Sequence, residues 1–227
     1  MFQCYAENGF TPRLLMFLSA YRHVAPEDLP ALGFQTFEIL ETGRVGEFVL
    51  RFIGRHSWLR NIFFSIIFLI VLLCIIWVKT APWSYNSIKP IEWIFWGMLA
   101  FFALIPVHEG LHALAYRLSG ARNVRVEAHW RQGYFLALAP RFVADRRSFF
   151  FVAFLPFVLI TGAHGLTIVF IKAEWVTGVW GSLIMHTLGC VGDFSVVRLF
   201  LDRSDCEVVT YDDLSGTTYF LYRKKTG

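Results

Sequence analysis

Residues 101–118 read FFALIPVHEGLHALAYRL, an apolar run broken by His108, Glu109 and His112. From 93 to 116 no other side chain is ionisable except the closing Tyr116. Charge near the interior of a membrane span costs about 2.5–3.5 kcal/mol on insertion scales, so such groups are functional candidates by default. On a helix, residues four apart overshoot a full turn by only about 40°, which stacks His108 and His112 on one face roughly 6 Å apart. Two imidazoles so placed can share one cation, and zinc suits imidazole nitrogen. The H-E-x-x-H spacing leaves Glu109 beside the metal but off the ligand line, where it can act on a bound water. The competing account has both histidines bonding nearby carbonyls and Glu109 pairing with an arginine. Random placement of this chain's histidines and glutamates gives the motif only roughly 0.01 times, which favours the metal.

The surroundings of the motif set the fold class. The chain has 227 residues, of which 56% are hydrophobic and 18% aromatic, and its mean hydropathy is +0.52, well above a soluble domain. Four stretches, 62–78, 93–116, 149–171 and 175–197, approach the roughly 20 apolar residues that a spanning helix needs. The expected fold is therefore mainly α, a multi-pass membrane protein of four transmembrane helices.

Basic residues orient it. Of 21 lysines and arginines, only Lys79, Lys89 and Lys172 lie in the connections between spans one and two and between three and four. The other 18 lie before the first span, between the second and third, or after the fourth. The positive-inside rule then places both termini and the middle loop in the cytoplasm. The basic clusters read as topology and lipid-headgroup contact, and nucleic acid is not an expected partner. No small-residue cleavage pattern follows LLMFLSA at 14–20, so the first span is expected to serve as the insertion signal. Cys4, Cys74, Cys190 and Cys206 have no paired spacing, and disulfides are not expected.

Three regions follow. Residues 1–61 form a cytoplasmic segment whose RVGEFVLRFIGRHSWLRN suits an interfacial helix. Residues 62–201 form the membrane domain. Residues 202–227 form a cytoplasmic tail in which EVVTY and TTYFLY flank DDLSG, a hairpin signal. A second hairpin is expected between spans two and three, where NVRVEAHW and GYFLALAP flank Arg131, Gln132 and Gly133.

A catalytic zinc wants three protein ligands and one open position. Asp193 is the only carboxylate between Glu174 and Asp202, and it precedes Arg198 by five residues. His112 likewise precedes Arg117 by five, and spans two and four run in the same direction, so the two side chains match in depth near the cytoplasmic side. Gly189 and Gly192 leave room for close helix approach. The alternative for Asp193 is a helix-end carboxylate paired with Arg198. Cys190, one turn before Asp193, reads as a small packing residue or as a soft neighbour of the site. Pro156 reads as a kink or as packing. His164 and His186 lie at similar depth in spans three and four, which raises a rival reading as a haem-binding membrane electron-transfer protein. His23, His56 and His129 fall outside the spans and need no special role.

HEGLH in a second span, a hairpin loop, LPFVL in a third span and GD in a fourth resemble, over roughly residues 93–222, the membrane zincin peptidases of unknown function, a group similar to the site-2 proteases. The resemblance implies zinc held by His108, His112 and Asp193, Glu109 as general base, and metal-dependent cleavage of a membrane protein or peptide substrate in a bacterial plasma membrane. Site-2 proteases present their third ligand in a longer D-G pattern, whereas Asp193 is flanked by Gly192 and Phe194. A zinc-binding membrane scaffold without catalysis is the remaining reading. No residue fixes the oligomeric state.

Overall fold

The computed structural model describes residues 17–81, 89–129 and 134–225. Cys4, Arg13 and the turn residues Arg131, Gln132 and Gly133 lie outside them. Four stretches of helix are long and apolar enough to cross a membrane. They are α2 (Trp58–Thr80), α3 (Lys89–Leu118), α4 (Arg146–Phe170) and the pair α5 (Ala173–Gly189) and α6 (Val191–Leu201). Ahead of them lie β1 (Gln35–Leu40) and α1 (Val45–Gly54); between α3 and α4 lie β2 (Arg125–His129), β3 (Tyr134–Leu138) and β4 (Ala144–Asp145); after α6 come β5 (Cys206–Asp212) and β6 (Thr218–Lys224).

Side chains close to the helix starts fix where each begins. Ser57 accepts the Arg60 amide at 3.1 Å to cap α2, and Asp145 accepts the Ser148 amide at 2.9 Å to cap α4. Each satisfies a donor that has no partner within its helix. The 23 residues of α2 reach about 35 Å at the helical rise, enough for a hydrocarbon core. Its Phe64, Phe68, Leu72 and Ile76 are exposed among the described residues.

The stretch expected as the fourth span is present as one candidate span, Ala173–Leu201, but within it the helix breaks at Cys190, whose ψ of 1° departs from helical geometry. The Cys190 amide is shared between the carbonyls of His186 at 3.1 Å and Thr187 at 3.2 Å. Tightened bonding of this kind is how helix ends finish, and it puts Asp193 in the first turn of a new helix. That is the end where a carboxylate is favoured by the helix dipole.

Glycines weld α3 to α5. A Cβ at Gly97 would fall 1.8 Å from the Gly178 carbonyl oxygen, and one at Gly181 would fall 2.2 Å from that of Ile94. The backbones touch there, as small residues permit in membranes. Gly189 abuts the Phe101 ring, 2.9 Å from its would-be Cβ, as close approach requires. Gly192 differs from expectation: among the described residues nothing lies within 4 Å of its would-be Cβ, and it lines a cavity.

The two tails meet in one sheet. Its antiparallel order is β1-β6-β5-β4, with a bulge between Thr36 and Glu38. On one face Val208 and Phe220 pack with Phe149, Phe200 and Phe52 from the helices. On the other, Val209 and Leu221 pack with Leu29, Phe34 and Val143. Alternate residues of β5 thus enter two cores, which is why CEVVTYD carries little polar alternation. The expected hairpin between α3 and α4 is present as β2 and β3, with Arg125 opposite Leu138 and Glu127 opposite Leu136.

Candidate metal centre

α3 carries His108, Glu109 and His112 on the turns after Pro106, a proline inside the helix. A proline there cannot donate to the carbonyl four residues back and loosens the helix just ahead of the motif. The two imidazoles lie with ring centroids 4.6 Å apart, and Asp193 reaches them from the first turn of α6.

Three side chains converge. His112 Nε2 is 3.0 Å from His108 Nε2, and the Asp193 carboxylate faces both rings, Oδ1 at 3.2 Å from His112 Nε2 and Oδ2 at 3.4 Å from His108 Nε2. Tetrahedral zinc with bonds of about 2.05 Å sets its ligand atoms about 3.3 Å apart, so this donor set fits that ion. The tautomer of His112 fits too. Its Nδ1 lies 2.8 Å from the Val152 carbonyl oxygen of α4, which can only accept, so the proton sits on Nδ1 and the Nε2 lone pair faces the centre. Arg198 pairs with Asp202 instead of Asp193.

Among the described residues two groups offer one ligand atom each within 4.8 Å of one another, His108, Glu109 and His112, and His108, His186 and Cys190, and Asp193 is in neither. In the first, Glu109 is otherwise engaged, its Oε2 accepting the Ala137 amide of β3 at 2.8 Å. In the second the spacing is looser, 3.4 Å from His108 Nδ1 to His186 Nε2 and 3.8 Å from there to Cys190 Sγ. The trio with Asp193 has the geometry closest to a single-ion site.

The centre opens onto a cavity of about 650 Å³. His108, Glu109, His112 and Asp193 form one wall, β3 residues Phe135 to Leu138 another, and Leu40, Val45 and Phe48 from β1 and α1 lie across it. Because the Ala137 amide turns toward Glu109, and its partner across the hairpin is Val126, that amide points away from β2. An antiparallel edge alternates in this way, so the outer edge of β3 faces the site.

His164 and His186 do not form a haem site. Their rings stack 6.3 Å apart at 18°, and both nitrogens of His164 are engaged, with the Ile160 carbonyl at 2.8 Å and the Ser182 hydroxyl at 3.0 Å. His164 has no nitrogen left for iron. Cys190 is buried among apolar side chains, and Pro156 is buried within α4.

Sequence reasoning missed three contributors. The Val152 carbonyl and the Ala137 amide are backbone groups with no residue signature. His186 was visible as a histidine inside a span, but the break at Cys190 between it and Asp193 removes the helical repeat that would have related the two.

A family described as "Putative zincin peptidase" matches residues 101–206. The match takes in the H-E-x-x-H motif, β2 to β4, α4, α5 and α6, and is narrower than the region over which the motifs resemble such a family. It supports a zincin-type metallopeptidase and, with it, the use of zinc. No curated protein and no solved structure matches the chain.

Proposed function

We propose that the chain is a zinc-dependent intramembrane metallopeptidase that cleaves membrane-associated or transmembrane protein segments near the cytoplasmic face. The observation that carries the reading is the meeting of His108 Nε2, His112 Nε2 and the two oxygens of the Asp193 carboxylate, at spacings of 3.0–3.4 Å, beside Glu109 and on the wall of a cavity. His108, His112 and Asp193 hold the ion. Bound zinc supplies Lewis acidity toward a water and the scissile carbonyl.

Glu109 then moves the proton. Its carboxylate takes one from the attacking water and passes it to the departing amine, so the peptide bond breaks with no covalent enzyme intermediate. The Ala137 amide holds one carboxylate oxygen and leaves the other for this work. A helix in lipid keeps its backbone bonded internally, so a substrate must unwind before attack. The outer edge of β3 is suited to hold the opened segment as an added strand.

The membrane setting belongs to the same proposal. The four helices lie in the plasma membrane with both sheets and both tails on the cytoplasmic side. α1 rests at the lipid surface, a placement supported by the exposure of Leu50 and Ile53 while Phe48 and Phe52 turn inward.

The test pairs metal content with cleavage. Purified protein should hold one zinc per chain, which His108→Ala and Asp193→Ala lose. Glu109→Gln should keep the metal while cleavage falls about 10²–10⁴-fold. Metal bound equally by all variants would refute the site. Retained zinc with no cleavage by the wild-type chain of any unwound membrane segment would leave a scaffold.

A further inference from the structure

His186 of α5 is buried, 1% exposed, and takes no part in the chemistry above. Its ring lies nearly parallel to two neighbours, Phe157 of α4 at 6.5 Å and 11° and His164 at 6.3 Å and 18°. His164 is itself tied to the Ile160 carbonyl and the Ser182 hydroxyl. His186 is packed among these rings, and its Nε2 lies 3.4 Å from His108 Nδ1.

Proton counting gives that contact a direction. For His108 Nε2 to offer a lone pair, Nδ1 must carry the proton. That proton needs an acceptor, and His186 Nε2 is the atom in line. With the tautomers reversed, His186 would donate from Nε2 and His108 would aim an N–H at His112 and Asp193, leaving no lone pair for an ion. His186 Nδ1 then carries a proton, and among the described residues it is a buried nitrogen with no partner. A buried donor left so destabilises the fold. Packing alone would have been better served by an apolar side chain.

We propose that His186 is a positioning residue of the metal centre, accepting the Nδ1 proton of His108 and so holding His108 Nε2 bare and aimed at the ion. This rests on the metal reading above. It adds a fifth side chain, acting through a ligand and not on the ion.

The experiment is zinc competition against a chromogenic chelator, with zinc-to-protein ratio measured, on the full chain in detergent. His186→Leu should weaken zinc binding about 10–100-fold. His186→Gln, whose amide oxygen can accept from His108, should restore it to within a few-fold. Cobalt in place of zinc should give the wild-type visible spectrum in His186→Gln and an altered one in His186→Leu. Thermal melts establish that each variant is folded, and if His186→Leu does not fold, His186→Met serves in its place. Unchanged affinity in the apolar variant overturns the proposal. So does equal loss in folded His186→Gln, or a second ion per chain that disappears with His186→Leu and with Cys190→Ala, which would make His186 a ligand. Absence of zinc from the wild-type chain, or zinc unaffected by His108→Ala, is a different result: it refutes the metal centre itself.

Discussion

Asp212 is a carboxylate for which the metal chemistry has no use. It is 5% exposed at the end of β5, where it accepts the Ala139 amide at 3.0 Å and the Thr218 hydroxyl at 2.8 Å. Burial pushes its carboxyl above the ordinary carboxylate range, and the two hydrogen bonds offset that only in part. A group whose native affinity for the proton is raised contributes stability that is present in acid and is lost as pH rises through its native value. The protein should therefore lose stability as pH is raised from mildly acidic to neutral, and Asp212→Asn, which keeps a hydrogen bond to each partner, should flatten that slope in melting curves taken at several pH values. A steeper slope in the variant would reverse the assignment. At this scale the sequence was most informative where spacing has a geometric meaning. His108 and His112 share a face by helical repeat, and Asp193 matched His112 in depth through the arginines five residues beyond each. Val152 and Ala137 contribute through backbone atoms, which no residue pattern discloses.

Helices α3 and α5 make the contact that aligns the ligand-bearing part of the bundle. At Gly97 and Gly181 the gap is filled by the neighbour's backbone, so an added methyl must push the helices apart. Gly181→Ala should destabilise by about 1–3 kcal/mol, the usual cost of overpacking, and should loosen the metal centre with it. Gly162→Ala on α4, where the new methyl meets open space, should be neutral or stabilising by up to about 1 kcal/mol. Thermal unfolding of the two variants side by side checks this, and equal effects would count against backbone contact. The glycines of the fourth span were visible in sequence, but not their partner. Helix pairing depends on contacts between segments far apart in the chain, whereas hydropathy reads one segment at a time. The break at Cys190 was hidden for the same reason, since 175–197 is apolar enough on average to read as one span and a pause in backbone bonding leaves no compositional trace.

The whole molecule combines an apolar bundle with a sheet drawn from both tails, and its orientation is a prediction at that scale. If the basic loops face the cytoplasm, Ser215→Cys, in the turn between β5 and β6, should resist a membrane-impermeant thiol reagent in intact cells and react once the membrane is opened. Replacing Cys4 with serine removes the background, because Cys74, Cys190 and Cys206 are buried. Labelling of intact cells would invert the topology. Span number and both hairpins were legible in the chain, because hydropathy and turn chemistry are local. The joining of β1 to β6 was not, since a strand does not announce its distant partner.

That joining sets a schedule for biogenesis. β1 is made before any of the helices, and the strand it pairs with follows all of them, so β1 and its Leu40 take their place across the cavity only once the helices have been synthesised. Under the proposed function, a nascent chain would carry its histidines with that side of the chamber still unbuilt, and an enzyme assembled in this order would be kept harmless until its synthesis is nearly done.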